Sequence, residues 1–178
     1  MKKLLIALTA VAVVSAAQAA SVGWSLAGAN NFANDAYMFF VIGQNGVSGT
    51  DTITGLLDSG DVAGAAAKAF GSGTVASNGA ANVTAGNSGK TLDAGTYTAF
   101  YVIFDANPAT SATKYALVTS ANMTNKEIKS TVASFTFAAQ NQSSVLNNAN
   151  NWKAVPEPTT VALLALGLAA VGLKRKVA

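Results

Sequence analysis

Residues Thr96–Phe104 read TYTAFYVIF. The stretch has no charge, no Gly and no Pro, and it is rich in the aromatic and β-branched side chains that suit a pleated strand. Side chains alternate across a strand, so Tyr97, Ala99, Tyr101 and Ile103 fall on one face and Phe100, Val102 and Phe104 on the other. Both faces are apolar. Such a strand has to be covered on both sides, which places it at the centre of a sheet.

Outward from it, Asp105-Ala106-Asn107-Pro108 is a turn sequence. Lys114–Thr119 (KYALVT) then returns as the second arm of a hairpin. Ala36–Ile42 (AYMFFVI) is another strand apolar on both faces, Trp24–Leu26 is a short first strand, and Thr131–Ala138 (TVASFTFA) alternates between its two faces. Asn45-Gly46 and Asn78-Gly79 mark tight turns. Between strands, Asp51–Leu57 is expected to form one helical turn. Asp61 is placed to cap a second helix over Val62–Phe70 that stops at Gly71. Gly71–Gly89 is expected to be a loop or a weak edge hairpin, Asn125–Lys129 a short helical turn, and the Asn-rich Gln140–Trp152 a spacer. The expected fold is mainly β: a single antiparallel β-sandwich-like domain with a small helical insertion, plus an N-terminal signal helix and a C-terminal short transmembrane helix.

The two ends differ from this body. Lys2 and Lys3 precede an apolar run, Leu4–Val14, and Ala17-Gln18-Ala19 supplies the small-x-small pattern of a signal-peptidase site, with the cut expected between Ala19 and Ala20. At the other end stands VPEPTTVALLALGLAAVGLKRKVA, Val155 to Ala178. Pro156 and Pro158 hold Val155 and Glu157 extended, so Pro-Glu-Pro is expected to lie exposed outside any helix or central strand. Thr159–Leu173 carries no charge. Its 15 residues make about 22 Å of helix at about 1.5 Å per residue, short of the roughly 20 residues that span a bilayer core. Lys174, Arg175 and Lys176 follow and should stay cytoplasmic.

This ordered layout, Pro156-Glu157-Pro158, apolar run, basic cluster, resembles the PEP-CTERM sorting signal of bacterial surface proteins. The resemblance covers the last two dozen or so residues and implies sorting rather than a fold. It implies that an exosortase, an integral-membrane cysteine protease or transpeptidase, recognises the tail, cuts near Pro-Glu-Pro and releases the protein into an exopolysaccharide-associated surface layer. The alternative reading of the tail is a plain C-terminal membrane anchor. The expected division is therefore 1–19 signal peptide, 20–152 secreted β-rich domain and 153–178 sorting signal, in an exported, membrane-held precursor bound for the cell surface or extracellular matrix.

Charge and chemistry narrow the body's function. The chain is +3 overall, but five of its basic residues sit in the two ends. From Ala20 to Val155 there are six Lys, no Arg and seven Asp/Glu, which gives no footprint for nucleic acid. The whole chain lacks His and Cys, removing the common nucleophile–base pairs, zinc sites and disulfides. Lys68 has Ala at 65–67 and so no Ser-x-x-Lys motif. No enzyme activity, cofactor or metal is expected. Asp58-Ser59-Gly60-Asp61 could offer carboxylates to calcium, though it lacks the usual loop spacing and helix capping by Asp61 explains it as well. A hydrolase would need two carboxylates converging in one cleft. Trp24, Tyr37, Tyr97, Tyr101, Tyr115 and Trp152 are candidates for a sugar-stacking platform, although most lie on apolar strands where burial is expected. The sequence thus supports a non-catalytic surface or matrix protein, with a glycan-binding or adhesin module as the alternative.

Overall fold

A computed structural model describes residues 19–27, 30–76, 90–139 and 142–157. Residues 1–18 of the expected signal peptide with its Ala17 site, the expected Asn78-Gly79 turn, Pro158, the apolar run 159–173 and Lys174, Arg175 and Lys176 lie outside the described residues. Among the described residues no helix is long and apolar enough to cross a membrane.

The chain is mainly β. In order come β1 (Ala20–Leu26), β2 (Ala36–Val41), α1 (Thr50–Asp58), α2 (Val62–Lys68), β3 (Gly71–Thr74), β4 (Thr91–Leu92), β5 (Gly95–Tyr97), β6 (Ala99–Phe104), β7 (Lys114–Val118), β8 (Lys126–Ile128), β9 (Ser134–Ala139), α3 (Ser143–Leu146) and β10 (Trp152–Ala154). A five-stranded antiparallel sheet, β10-β7-β6-β2-β3, forms the middle layer, and β4-β1-β9 and β5-β8 form two smaller sheets.

Every residue of β6 and of β2 is buried. Their alternation separates two cores. Tyr37, Phe39, Val41, Ala99, Tyr101 and Ile103 face β1 and β9, packing with Val22, Trp24, Leu26 and Phe137. Met38, Phe40, Phe100, Val102 and Phe104 face the helices, packing with Ile53, Leu57, Val62 and Ala65. Trp24 stacks on Phe39 with ring centroids 4.8 Å apart, and Phe40 stacks on Phe100 at 5.1 Å. Each large side chain of this kind contributes about 1.5–3 kcal/mol on burial. The ion pair seen among the described residues, Lys153 with Asp58 at 4.0 Å, is exposed on both sides and belongs to a class worth about 0–1 kcal/mol. Apolar layering, not charge, holds the fold.

Several expectations hold. Lys114–Val118 pairs with β6 as the hairpin partner, Phe104 opposite Tyr115 and Tyr101 opposite Val118. Asp61 caps α2, its carboxylate accepting from the Gly64 N–H at 2.7 Å. Others are corrected. The domain is not wholly antiparallel, because β1 and β9 run parallel from Ser21↔Ser134 to Leu26↔Ala139. Ends of the chain far apart in sequence can pair in either direction, and alternation alone does not choose. Thr96–Phe104 is divided between β5 and β6 and changes sheet at Thr98, whose carbonyl takes the Ile42 N–H at 2.8 Å and whose Oγ1 takes the Asn125 N–H at 3.0 Å. Residues 126–128 form a strand on β5, not a helical turn. A few residues cannot nucleate a helix by themselves, and pairing buries Ile128. Asp51–Leu57 lies within a full helix, α1. The expected spacer is packed: Leu146 of α3 is buried in the core, and β10 adds an edge to the main sheet.

Close approach explains one glycine. A Cβ at Gly71 would overlap the Trp24 indole, and that ring is fixed by its stack on Phe39 and by its Nε1–H bond to the Tyr37 hydroxyl, 3.2 Å. Gly71→Ala is expected to lower stability by about 1–3 kcal/mol through overpacking. Gly55, exposed in α1 with open space around it, is the control: Gly55→Ala should raise stability by about 0.5–1 kcal/mol. Urea denaturation midpoints of the two variants check the opposite signs.

Candidate functional site: the junction between domain and tail

The stretch that leads into the tail is built into the fold. β10 pairs antiparallel with β7, Trp152 opposite Ala116 and Ala154 opposite Lys114. The Val155 N–H then donates to the Thr113 carbonyl at 2.8 Å. The Val155 side chain is 7% exposed and belongs to the helix-side core. Trp152 fastens the start of this strand, its Nε1–H donating to the Leu146 carbonyl at 2.8 Å and its ring lying 4.7 Å from that of Phe32. Trp152 thus packs the chain's exit against the domain.

Pro156 does not stand clear of the domain. It is half-buried, and Glu157 is exposed. The α1–α2 turn reaches it through Gly60, which has φ +78° and where a Cβ would sit 2.6 Å from the Pro156 carbonyl oxygen. A groove of about 560 Å³ runs beside this contact, lined by Asp61, Ala63, Thr110, Val155, Pro156 and Glu157 among others. Of the expected exposed motif, then, Glu157 is open and Pro156 is partly covered, because Gly60 leaves room for the chain to lie against the turn.

A polar clamp supports the same edge from below. The Tyr115 hydroxyl, rooted in a buried side chain, donates to Asp58 Oδ1 at 2.6 Å. Burial, the hydrogen bond to Asp58 and that residue's charge all push the Tyr115 phenol well above its ordinary value. Asp58 Oδ2 also faces the Lys153 ammonium of β10. Asp58 and Asp61, the calcium candidates, therefore each have a structural partner, and among the described residues no group of three acidic side chains is placed to hold a metal.

Asp105 closes the β6–β7 hairpin. Its Oδ1 accepts the N–H groups of Thr113 at 2.8 Å and Lys114 at 2.9 Å, and its Oδ2 accepts the Thr113 hydroxyl at 2.7 Å. Burial alone would push the Asp105 carboxyl up, but these hydrogen bonds outweigh it and the net shift is downward. Asp35 moves the other way, raised by burial and then by the charge of Asp105.

Of the aromatic candidates, Trp24, Tyr37, Tyr101 and Tyr115 are buried in the cores. Tyr97 and Trp152 keep partial exposure, and Tyr97 donates its hydroxyl to the Asp93 carbonyl at 3.1 Å. Sequence reasoning missed Gly60, Tyr115 with Asp58, and Phe32. For Gly60 a signal existed, since Gly after Asp-Ser at a helix end favours positive φ, but it did not reveal which chain would fill the space.

The junction feeds directly into a segment with a known signature. Residues 154–176 match the PEP-CTERM protein-sorting motif. A PEP-CTERM motif marks its carrier for export and exosortase-dependent sorting to the cell surface. The match begins at Ala154, the last residue of β10, so the sorting segment and the folded sheet share that residue. No curated protein and no solved structure matches the chain.

Two outcomes follow from this geometry. Gly60→Ala incurs both a left-handed backbone cost of about 1–2 kcal/mol and displacement of Pro156. Gly43→Ala, with φ +89° and open space, incurs only the first. Gly60→Ala should therefore destabilise more, and its exit strand should be cut faster by a nonspecific protease. In acid, Asp105 contributes stability that is present above its unfolded pKa, about 3.8, and is lost as pH falls through its lower folded value. Asp35 has the opposite sign, because its raised folded pKa disfavours the ionised form and stability is regained as that carboxyl protonates. At pH 7, Asp105→Asn should cost about 1–2 kcal/mol after allowance for its partial exposure, and Asp35→Asn should stabilise. Thermal melts from pH 3 to 7 would show Asp105→Asn flattening the acid limb.

Proposed function

We propose that the chain is a non-catalytic secreted surface protein, delivered by exosortase through its tail and retained in the extracellular polysaccharide layer. The observation that carries this reading is the PEP-CTERM match at 154–176 joined without a linker to a packed sheet. In this reading signal peptidase cuts between Ala19 and Ala20, leaving the whole of β1 in the mature chain. The apolar run 159–173 holds the precursor in the membrane only until Pro156-Glu157-Pro158 is processed, and Lys174, Arg175 and Lys176 keep its end cytoplasmic.

The absence of His and Cys, and the structural engagement of Asp58, Asp61 and Asp105, support a body without catalysis. The fold also bears on where the tail is cut. A cut on the N-terminal side of Val155 would remove a buried side chain and a sheet hydrogen bond. A cut after Pro156 leaves β10 and Val155 in place. The glycan-binding alternative draws support from one feature, the half-exposed Phe32–Trp152 pair.

Intact-mass measurement on protein from cytoplasmic, membrane and matrix fractions tests the proposal. The matrix species is expected to begin at Ala20, to end at or beyond Pro156 and to be shorter than the membrane species. Full-length chain confined to the cytoplasm, or a mature form that ends before Trp152, would sink it.

A further inference from the structure

One end of the main sheet carries a second cavity, away from the Gly60–Pro156 contact. It has a volume of about 370 Å³ and is lined by Asn31, Phe32, Asp105, Lys114, Asn147 and Trp152 among others. That size lies at the small end of ligand sites, which run from roughly 300 to 1,000 Å³. The three segments that build it are distant in sequence: the turn after β1, the β6–β7 hairpin and the link between α3 and β10.

The cavity's wall is aromatic and fixed. Phe32 and Trp152 are each half-buried, with their rings 4.7 Å apart and tilted by 31°. The Trp152 indole cannot swing freely, because its Nε1–H is held by the Leu146 carbonyl. The rim is polar and bridged. Asn31 Nδ2 donates to Asn147 Oδ1 at 2.7 Å, and both amides, in the lining, keep further donor and acceptor capacity. Asp105 Oδ1 takes two N–H groups and Oδ2 takes the Thr113 hydroxyl, which fixes the carboxylate in the pocket's lining. The exposed Lys114 supplies a donor.

The chemistry selects among ligands. A phosphate or a uronic acid favours clustered cations, whereas Lys114 is the cation of this lining and shares it with the carboxylate of Asp105. A purely apolar ligand would strip water from the two amides, the carboxylate and the ammonium with nothing in return. A neutral pyranose meets both halves of the site: its C–H face packs on an aromatic wall, and its neighbouring hydroxyls each donate and accept. We propose that this pocket binds one pyranose unit of a neutral polysaccharide. The proposal deepens the matrix reading and rests on it for its setting.

The test uses the full chain purified in a polyoxyethylene detergent, which avoids sugar-headgroup detergents. Tryptophan emission reports the site, since Trp24 is 1% exposed and Trp152 is the half-exposed indole. Neutral gluco-, manno- and galacto-oligosaccharides are titrated in turn, with inorganic phosphate and polygalacturonate as anionic probes. A saturable emission change is expected with at least one neutral series, absent in Trp152→Phe and absent with the anionic probes. Asn147→Ala, a change at an exposed side chain whose folding is checked by an unchanged thermal melt, should weaken binding about fivefold by removing one hydrogen-bonding group. Phe32→Leu should weaken it similarly. No saturable change with any neutral series, an undiminished affinity in Asn147→Ala, or competition by phosphate would overturn the proposal. Because the measurement is made on purified protein, a failure here leaves the sorting reading standing, and a failure of sorting leaves the pocket standing.

Discussion

Two adjacent strands that are buried on both faces govern this structure. β2 and β6 offer water nothing on either side, so each face has to be covered by a separate layer. The small sheet of β1, β9 and β4 covers one face and the α1–α2 pair covers the other. Aromatic side chains fill both gaps, and each buried ring outweighs any surface ion pair in the chain. The three-layer arrangement is thus a consequence of a strand pair without a polar face. The helical insertion is not an ornament in this scheme. It is the lid on the side that Phe40, Phe100 and Phe104 occupy.

The same constraint fixes the route of the C-terminal chain. With β6 and β2 in the middle, β7 would be left as an edge on the side opposite β3, and β10 fills that position. The chain therefore leaves the domain along the sheet edge, passes under the α1–α2 turn at Gly60 and enters the sorting segment. Asp58 links the two sides of this exit, accepting from Tyr115 in the core and facing Lys153 on β10. The segment that addresses the protein and the segment that completes its sheet overlap at Ala154. Folding and sorting consequently share a boundary: the accessible end of the motif begins where burial stops, between Val155 and Glu157. The hairpin lock at Asp105 serves two ends at once, since it closes β6 onto β7 and forms part of the rim of the Phe32–Trp152 pocket.

Much of the architecture was legible from local pattern. The alternation of TYTAFYVIF assigned each side chain of β6 to the correct core, because a strand's period of two is a property of the backbone itself. Asp61 announced the start of α2, since a cap acts within one helical turn. The order of Pro-Glu-Pro, apolar run and basic cluster is a linear signal, read by its receptor along the chain, and it matches at 154–176. The absence of His and Cys and the near-neutral charge of the body needed no structure at all.

Partner choice was not legible. That β1 runs parallel to β9, that residues 126–128 extend along β5, and that Asn-rich residues 142–154 pack as a short helix and an edge strand all depend on pairings across many tens of residues. The same holds for the site. Asn31 meets Asn147, Asp105 reaches Thr113, Phe32 meets Trp152, and Gly60 makes way for Pro156 only once the layers have closed. The sequence by itself determined the destination of the tail, the face on which each β6 residue lies and the chemistry the chain lacks, because these are written in composition and short-range period. Only the tertiary structure decided what lies against the sorting segment and which polar groups share a pocket, because those contacts arise from packing two faces of one strand pair and leave no trace in neighbouring residues.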